Sequence, residues 1–501
     1  MMNEELLRGK ILGDYATFDD ARDDAVYCSQ AEVLLRMLNG DNVFLSGSAG
    51  AGKSYVIEQY VKLKREINSN TNIVVTATTG LAALNISGST VHSVTGLGIT
   101  KLCYDDYRKT TPAKTLRAKN SELRAIDVLI IDEVSMLSAQ GLNFIVDRFI
   151  DAKGGLPQII LAGDFNQLPP VATQQDIQDY GNLISEFCYK SRGWDIISPV
   201  ICYLDKSWRA KDQRLKIILE NISIGQGRSP ETIDLLNTIR TTDNIDQRSS
   251  SILMTKNIRV DSYNEECQKL NTNSPNRYIY KFDNEFAKNY AKKLGIPEML
   301  VFKDGDRVMI TQNYSINGES VIVLDDNGKE CNLPVRNGMI GTFTLWRNLP
   351  SVKYTRDGRN FIIIFKTPFE YVCWNVPTVY DIRSGSYNAK ADAEAYKPCV
   401  YQYPLKLAYA ISVHKSQGQT LDNIIVDLTE CWTENLGYVA LSRTRSLRDI
   451  TLLKRNGRLG SQKALLVSEK SLKIKEEILE ASLNNRLERH DWDEMIHKIM
   501  H

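Results

Sequence analysis

Residues 42–54 read N-V-F-L-S-G-S-A-G-A-G-K-S. The opening NVFL is a short apolar run closed by turn residues, the pattern of a strand buried on both faces. Residues 47–54 match G-x-x-x-x-G-K-[ST], and 55–64 (YVIEQYVKLK) carry a helical pattern. Strand, glycine loop and helix in that order form a phosphate-binding loop, a context that a plain glycine-rich turn would not require. Gly47, Gly50 and Gly52 let the backbone curl, with Ser48, Ala49 and Ala51 between them, so that N–H groups ring phosphate oxygens. The following helix adds its positive N-terminal dipole. Lys53 is placed for the β- and γ-phosphates of ATP, and the Ser54 hydroxyl for Mg²⁺.

Working outward, similar apolar runs recur at 73–76 (IVVT), 128–131 (VLII), 159–162 (IILA) and 424–428 (IIVDL). Strands alternating with helical segments predict an α/β fold with parallel sheets. The run at 128–131 ends in Asp132 and Glu133. Asp132 is placed to hold Mg²⁺, and Glu133 to polarise an attacking water, which favours hydrolysis over transfer to a second substrate. The run at 159–162 leads into G-D-F-N-Q-L-P-P-V, with Gln167 where ligands sit in open α/β sheets, suited to sensing the γ-phosphate.

The chain has 501 residues, room for about three domains. Hydrophobic residues at 43% and charged residues at 25% support an ordinary core and exclude global disorder. Lys and Arg (62) balance Asp and Glu (61), so a nucleic-acid site must be a local basic groove. No apolar run reaches the roughly 18 residues of a membrane span. Residues 1–10 do not read as a secretory signal. Nine cysteines with no C-x-x-C pair predict buried thiols in a reducing compartment. The expectation is a soluble intracellular protein of cytoplasm or nucleus.

Three regions depart from the α/β pattern. Residues 341–400 hold TFTLW, FIIIF and YVCWNV between turn residues and predict a small all-β insertion. Residues 96–120 carry six Lys or Arg and read, by composition, as a solvated loop. The stretch from 461 is charged and helical, with Leu479, Leu483 and Leu487 on one stripe; it predicts a helix docked on the body, with a protein partner as the alternative.

These motifs form an ordered set that resembles superfamily-1 helicases moving 5′→3′, and among them the PIF-type (petite integration frequency) DNA helicases, with RecD-type motors a more distant likeness. The likeness runs from about 26 to 453. Residues 74–93 (VVTATTGLAALNISGSTVHS) are similar to the family's strand-contacting segment, 204–209 (LDKSWR) to its first arginine-finger motif, 407–421 (LAYAISVHKSQGQTL) to a highly specific motif and 438–445 (YVALSRTR) to the second finger motif. Residues 142–153 are a looser match to its signature helix.

The resemblance implies an ATP-hydrolysing, Mg²⁺-dependent DNA helicase with two RecA-like domains, at 1–200 and at 201–340 with 401–460. It adds a barrel-like insertion at 341–400, a wedge at about 96–118 and a C-terminal helical extension at 461–501. It implies that Gln30 reads adenine, that Gly418 belongs to the nucleotide site, and that the second domain supplies Arg209 and Arg443 to ATP bound between the two. Thr78, Thr79, His92, His414, Lys415 and Ser416 fall at positions contacting single-stranded DNA. Tailed or forked duplex as substrate, a monomeric state and roles in replication, recombination, repair or telomere maintenance follow from the same likeness. A translocase or protein-displacing motor with little unwinding, and a nucleotide-switched scaffold, are the alternatives.

Overall fold

The computed structural model describes residues 3–501 apart from 80–81, 84–85, 87, 98–102, 171, 173, 243–250, 295, 313, 315–319, 334, 336, 357, 373–379, 382–385, 388–398, 418–419, 422, 430, 455–459 and 462. Two compact units divide the chain: Met1–Thr238 with Thr433–Ser442 and Gln462–His501, and Ile239–Trp432 with Arg443–Ser461.

The first unit is built on six parallel strands: β1 (Val43–Gly47), β2 (Ile73–Ala77), β3 (Ser89–Thr90), β4 (Val128–Asp132), β5 (Gln158–Gly163) and β6 (Val200–Leu204). Their spatial order is β3-β2-β4-β5-β1-β6. Because successive side chains alternate faces, each apolar run feeds two cores. Phe44, Leu129, Ile131, Ile159 and Leu161 enter one, with Phe144, Phe149 and Trp194 of the covering helices. Val43, Leu45, Val128, Ile130 and Ile160 enter the other, with Leu34, Leu38, Ile57 and Tyr60. This double burial explains the continuous rather than alternating runs.

The expected division at residue 200 lies elsewhere. Helices Gln213–Ser223 and Pro230–Asn237 stay with the first sheet. Asn166 Nδ2 donates to the Ser223 carbonyl at 3.0 Å, and Lys475 Nζ to the Ser223 hydroxyl at 2.6 Å. No linker composition marks this boundary.

The C-terminal extension forms two helices, Glu469–Asn484 and Arg489–Met500, packed on the first unit. Ser482 Oγ accepts the Tyr203 N–H at 2.9 Å, and Trp492, 1% exposed, lies 4.1 Å from the Phe18 ring. The expected leucine stripe is split: Leu487 is buried beyond the first helix, whereas Leu483 is 47% exposed.

Residues 104–124 form helices Tyr104–Thr110 and Ala113–Arg124 rather than a solvated loop. Tyr104 and Tyr107 meet Phe144 edge-on at 5.7 and 5.4 Å, so their rings are core, while Asp105 and Asp106 between them and Arg108 and Lys109 after them stay outside. Arg148, fully buried, lies 5.4 Å from the Tyr107 ring and donates through Nε to the Thr95 carbonyl at 3.2 Å.

The second unit has its own parallel sheet, ordered Ala410–Ser412, Ser251–Met254, Ile424–Val426, Ile450–Leu453, Arg240–Thr242. Inserted in it is a six-stranded antiparallel sheet ordered Val321–Leu324, Arg359–Phe365, Leu349–Arg356, Ile340–Trp346, Arg307–Ile310, Leu405–Leu407. Phe302, Val308, Phe343, Val352, Ile363 and Phe365 form its core. The sheet thus begins well before residue 341, in short strands broken by Asp and Gly turns that carry little sequence period. Most of 373–398 lies outside the described residues.

Candidate nucleotide site and strand-contacting segments

The catalytic candidates of the first unit converge at the C-terminal ends of β1, β4 and β5. The loop after β1 is built from close backbone approaches. Gly50 (φ +82°) and Gly52 (φ +90°) are left-handed, and a β carbon on them would collide with Arg209 Cβ and Gln30 Nε2, respectively. Gln30 Nε2 donates to the Ala51 carbonyl at 3.3 Å, and the Trp208 N–H to the Gly50 carbonyl at 2.8 Å. Gln30, Tyr15, Cys28 and Trp208 line one pocket beside the loop.

Lys53 Nζ donates to the Gly47 carbonyl at 2.7 Å and the Ser48 carbonyl at 3.3 Å. Burial pushes its ammonium below the usual lysine range, while Asp164, Glu133 and Asp132 hold the charge in place. Burial raises the Asp132 carboxyl to about 7, and the neighbouring Glu133 adds to it. The Glu133 N–H, which donates to Asp132 Oδ1 at 2.8 Å, Lys53 and the Ser54 hydroxyl pull the other way. A desolvated acid beside a second acid and a hydroxyl is a donor set that a hard divalent cation suits; Ser54 and Asp132 are the residues that would hold one. Glu133 itself sits in left-handed backbone (φ 53°), a conformation costing about 1–3 kcal/mol for a non-glycine residue. Gly163 at the end of β5 makes room for the turn that follows, since a β carbon there would stand 2.9 Å from Val134 Cγ1.

Gln167 is 4% exposed; its N–H donates to the Asp164 carbonyl at 2.9 Å and its Nε2 reaches Asp164 Oδ2 at 3.5 Å. Two residues to which the motifs assign no role complete this corner. The Tyr438 hydroxyl donates to Asp164 Oδ2 at 2.9 Å and accepts the Ala49 N–H at 3.2 Å, joining β5 to the phosphate loop. Asn435 Nδ2 donates to the carbonyls of Asn166 (3.0 Å) and Gln167 (3.1 Å), and its Oδ1 accepts the Ser468 N–H at 3.0 Å. Both stand within or just before the quoted 438–445 motif, but only spatial proximity gives them partners.

Arg209 lies in the same compact unit as the phosphate loop, not in the second as expected. Its Nη1 donates to the Ser442 carbonyl at 3.2 Å, and its stem packs on Gly50. Arg443 belongs to the second unit and is 1% exposed, with Nη1 donating to the Ser416 carbonyl at 3.2 Å.

The strand-contacting candidates separate into two groups. In the first unit, the Thr78 hydroxyl donates to the Glu133 carbonyl at 2.9 Å, so this segment is tied to the acidic pair. Thr79 Oγ1 accepts the Ala82 N–H at 3.2 Å, and burial holds the His92 imidazole below its usual range, hence neutral at pH 7. In the second unit, His414 opens the short turn His414–Ser416. Ser416 is fully buried and its hydroxyl donates to the Val413 carbonyl at 2.8 Å, so its side chain is no surface contact, contrary to expectation. The Lys415 side chain and Gly418 lie outside the described residues.

Residues 25–245 match the PIF1-like helicase family, and residues 407–447 the UvrD-like helicase C-terminal domain. The chain is 29% identical to the ATP-dependent DNA helicase Pif1 of Bdellovibrio bacteriovorus over 86% of this chain and 88% of that protein. It is similar to the crystal structure of Bacteroides sp. Pif1 in complex with ADP-AlF4 (25% identity, TM-score 0.67, 89% of this chain and 96% of that one). It is also similar to Bacteroides Pif1 bound to ssDNA (25% identity, TM-score 0.58, 89% and 96%). Among the described residues no helix is long and apolar enough to cross a membrane.

Proposed function

This chain belongs to the PIF1-like helicase family, and we propose that it moves 5′→3′ along single-stranded DNA and opens duplex ahead of it. It is an ATP-hydrolysing DNA helicase; polarity, metal use and residue roles are our reading. The observation that carries it is the buried Lys53 ammonium set among Asp132, Glu133 and Asp164 beneath a glycine loop. Such a cluster is stable when phosphate and cation charges complete it.

In this reading the loop amides and Lys53 hold the β- and γ-phosphates, and Gln30 reads the base. Mg²⁺, when bound at Ser54 and Asp132, neutralises phosphate charge. Glu133 accepts the proton of the attacking water, and Gln167 senses the γ-phosphate through the loop it shares with Asp164. Arg209 and Arg443 stabilise charge developing on the γ-phosphate. Because Arg443 donates to Ser416, one residue links that chemistry to the 407–421 segment assigned to the strand. Thr78, bonded to Glu133, makes a second such link. Thr79, His92, His414 and Lys415 contact the strand. The segment at about 96–118, which includes helix Tyr104–Thr110, acts as the wedge; separating one base pair costs about 1.4 kcal/mol. The relative bound to ssDNA supports a single-strand track. Tailed and forked duplex are the natural substrates, and replication, recombination or repair the natural settings.

The test is ATP- and Mg²⁺-dependent unwinding of two matched duplexes, one with a 5′ and one with a 3′ single-stranded tail. Opening only the 5′-tailed duplex is expected, and Lys53→Ala abolishes it. Opening only the 3′-tailed one overturns the polarity. DNA-stimulated hydrolysis with neither opened turns the reading to a translocase.

A further inference from the structure

We infer that Trp432 is a base-stacking platform for the single strand, with His414 as its second ring; this rests on the strand-binding function proposed above. Large aromatics are normally buried, yet Trp432 is 55% exposed. Its indole lies nearly parallel to the His414 imidazole, at 14°, with ring centroids 6.5 Å apart. At that separation the two rings form a stacked aromatic pair, and the exposure of the indole leaves part of it free to meet a base.

The mount is rigid. The Cys431 N–H donates to the Leu428 carbonyl at 3.4 Å, and the Ser461 hydroxyl to the Cys431 carbonyl at 2.7 Å, pinning the backbone beside the exposed indole. His414 is anchored by its turn, whose last carbonyl, Ser416, receives Arg443. Burial keeps the imidazole neutral, suited to a flat π contact, and its Nδ1 is buried without a hydrogen-bond partner. Base stacking on an aromatic tolerates any sequence, as a motor track requires.

Binding of the full chain to an oligo-dT strand and to an abasic deoxyribose-phosphate strand of equal length tests this. Trp432→Ala is expected to weaken oligo-dT binding about 5- to 100-fold, to leave abasic-strand binding within about twofold, and Trp432→Phe to restore most of the loss. Equal loss on both strands, or no loss on oligo-dT, overturns the platform. A wild-type chain that binds neither strand overturns the strand-binding function itself, and circular dichroism of Trp432→Ala identifies a folding defect, for which Trp432→Phe against His414→Ala then decides.

Discussion

The two parallel sheets share an architecture and differ in what their strands end in. In the first, β1 ends in a glycine loop with Lys53 and Ser54, β4 in Asp132 and Glu133, β5 in Asp164 and Gln167. In the second, Ser251–Met254 ends in Thr255 and Lys256, with no glycine loop, while Ala410–Ser412 runs into the turn His414–Ser416, whose last carbonyl accepts a hydrogen bond from Arg443. The lesson is that a parallel sheet supplies a set of aligned strand ends, and the residues placed there give each sheet its own chemistry.

The sharpest test of this asymmetry uses one residue from each sheet. Lys53→Ala and Arg443→Ala should each lower DNA-stimulated ATP turnover by about 10³-fold or more, measured as phosphate release. They should part in nucleotide binding: Lys53→Ala weakens it, whereas Arg443→Ala changes turnover more than affinity. A normal turnover rate in Arg443→Ala would make the second sheet a passive scaffold.

Next in size is the C-terminal extension, which only the first unit carries. Trp492→Ala removes a fully buried ring packed on Phe18 and should cost about 3–5 kcal/mol in chemical denaturation. Asn435→Ala strips donors from the Asn166 and Gln167 carbonyls and should cost about 1–3 kcal/mol and slow turnover through a shifted Gln167. Tyr438→Phe leaves an Asp164 oxygen and the Ala49 N–H short of a partner, with a loss of similar or smaller size. Leu483→Ala, on the exposed side of the same extension, should stay within about 0.5 kcal/mol; a larger loss would mean that this face is covered.

The nucleotide half of the site was legible because it is local. Glycines, lysine and serine within eight residues, and two acids closing an apolar run, must be contiguous to work. The second arginine position and the 407–421 segment were legible only through family likeness, since a lone Arg or His has no local signature. Arg209 was assigned to the wrong unit because nothing in composition between 200 and 238 marks a boundary. The burial of Ser416 has no local signature either, and its carbonyl meets Arg443 from 27 positions away.

By itself, then, the sequence determined the strands, the phosphate loop, the acidic pair and the α/β class, because burial on both faces and backbone curvature select residue types locally. Tertiary structure alone decided that Tyr438 and Asn435 brace the loops after β1 and β5 and that helices 104–124 rest on tyrosines. It also decided that the last forty residues form two helices on the first unit and that Trp432 stands exposed beside His414. Each of these depends on which distant side chains meet, and a hydrogen bond or ring contact between residues far apart in the chain leaves no period or spacing to read.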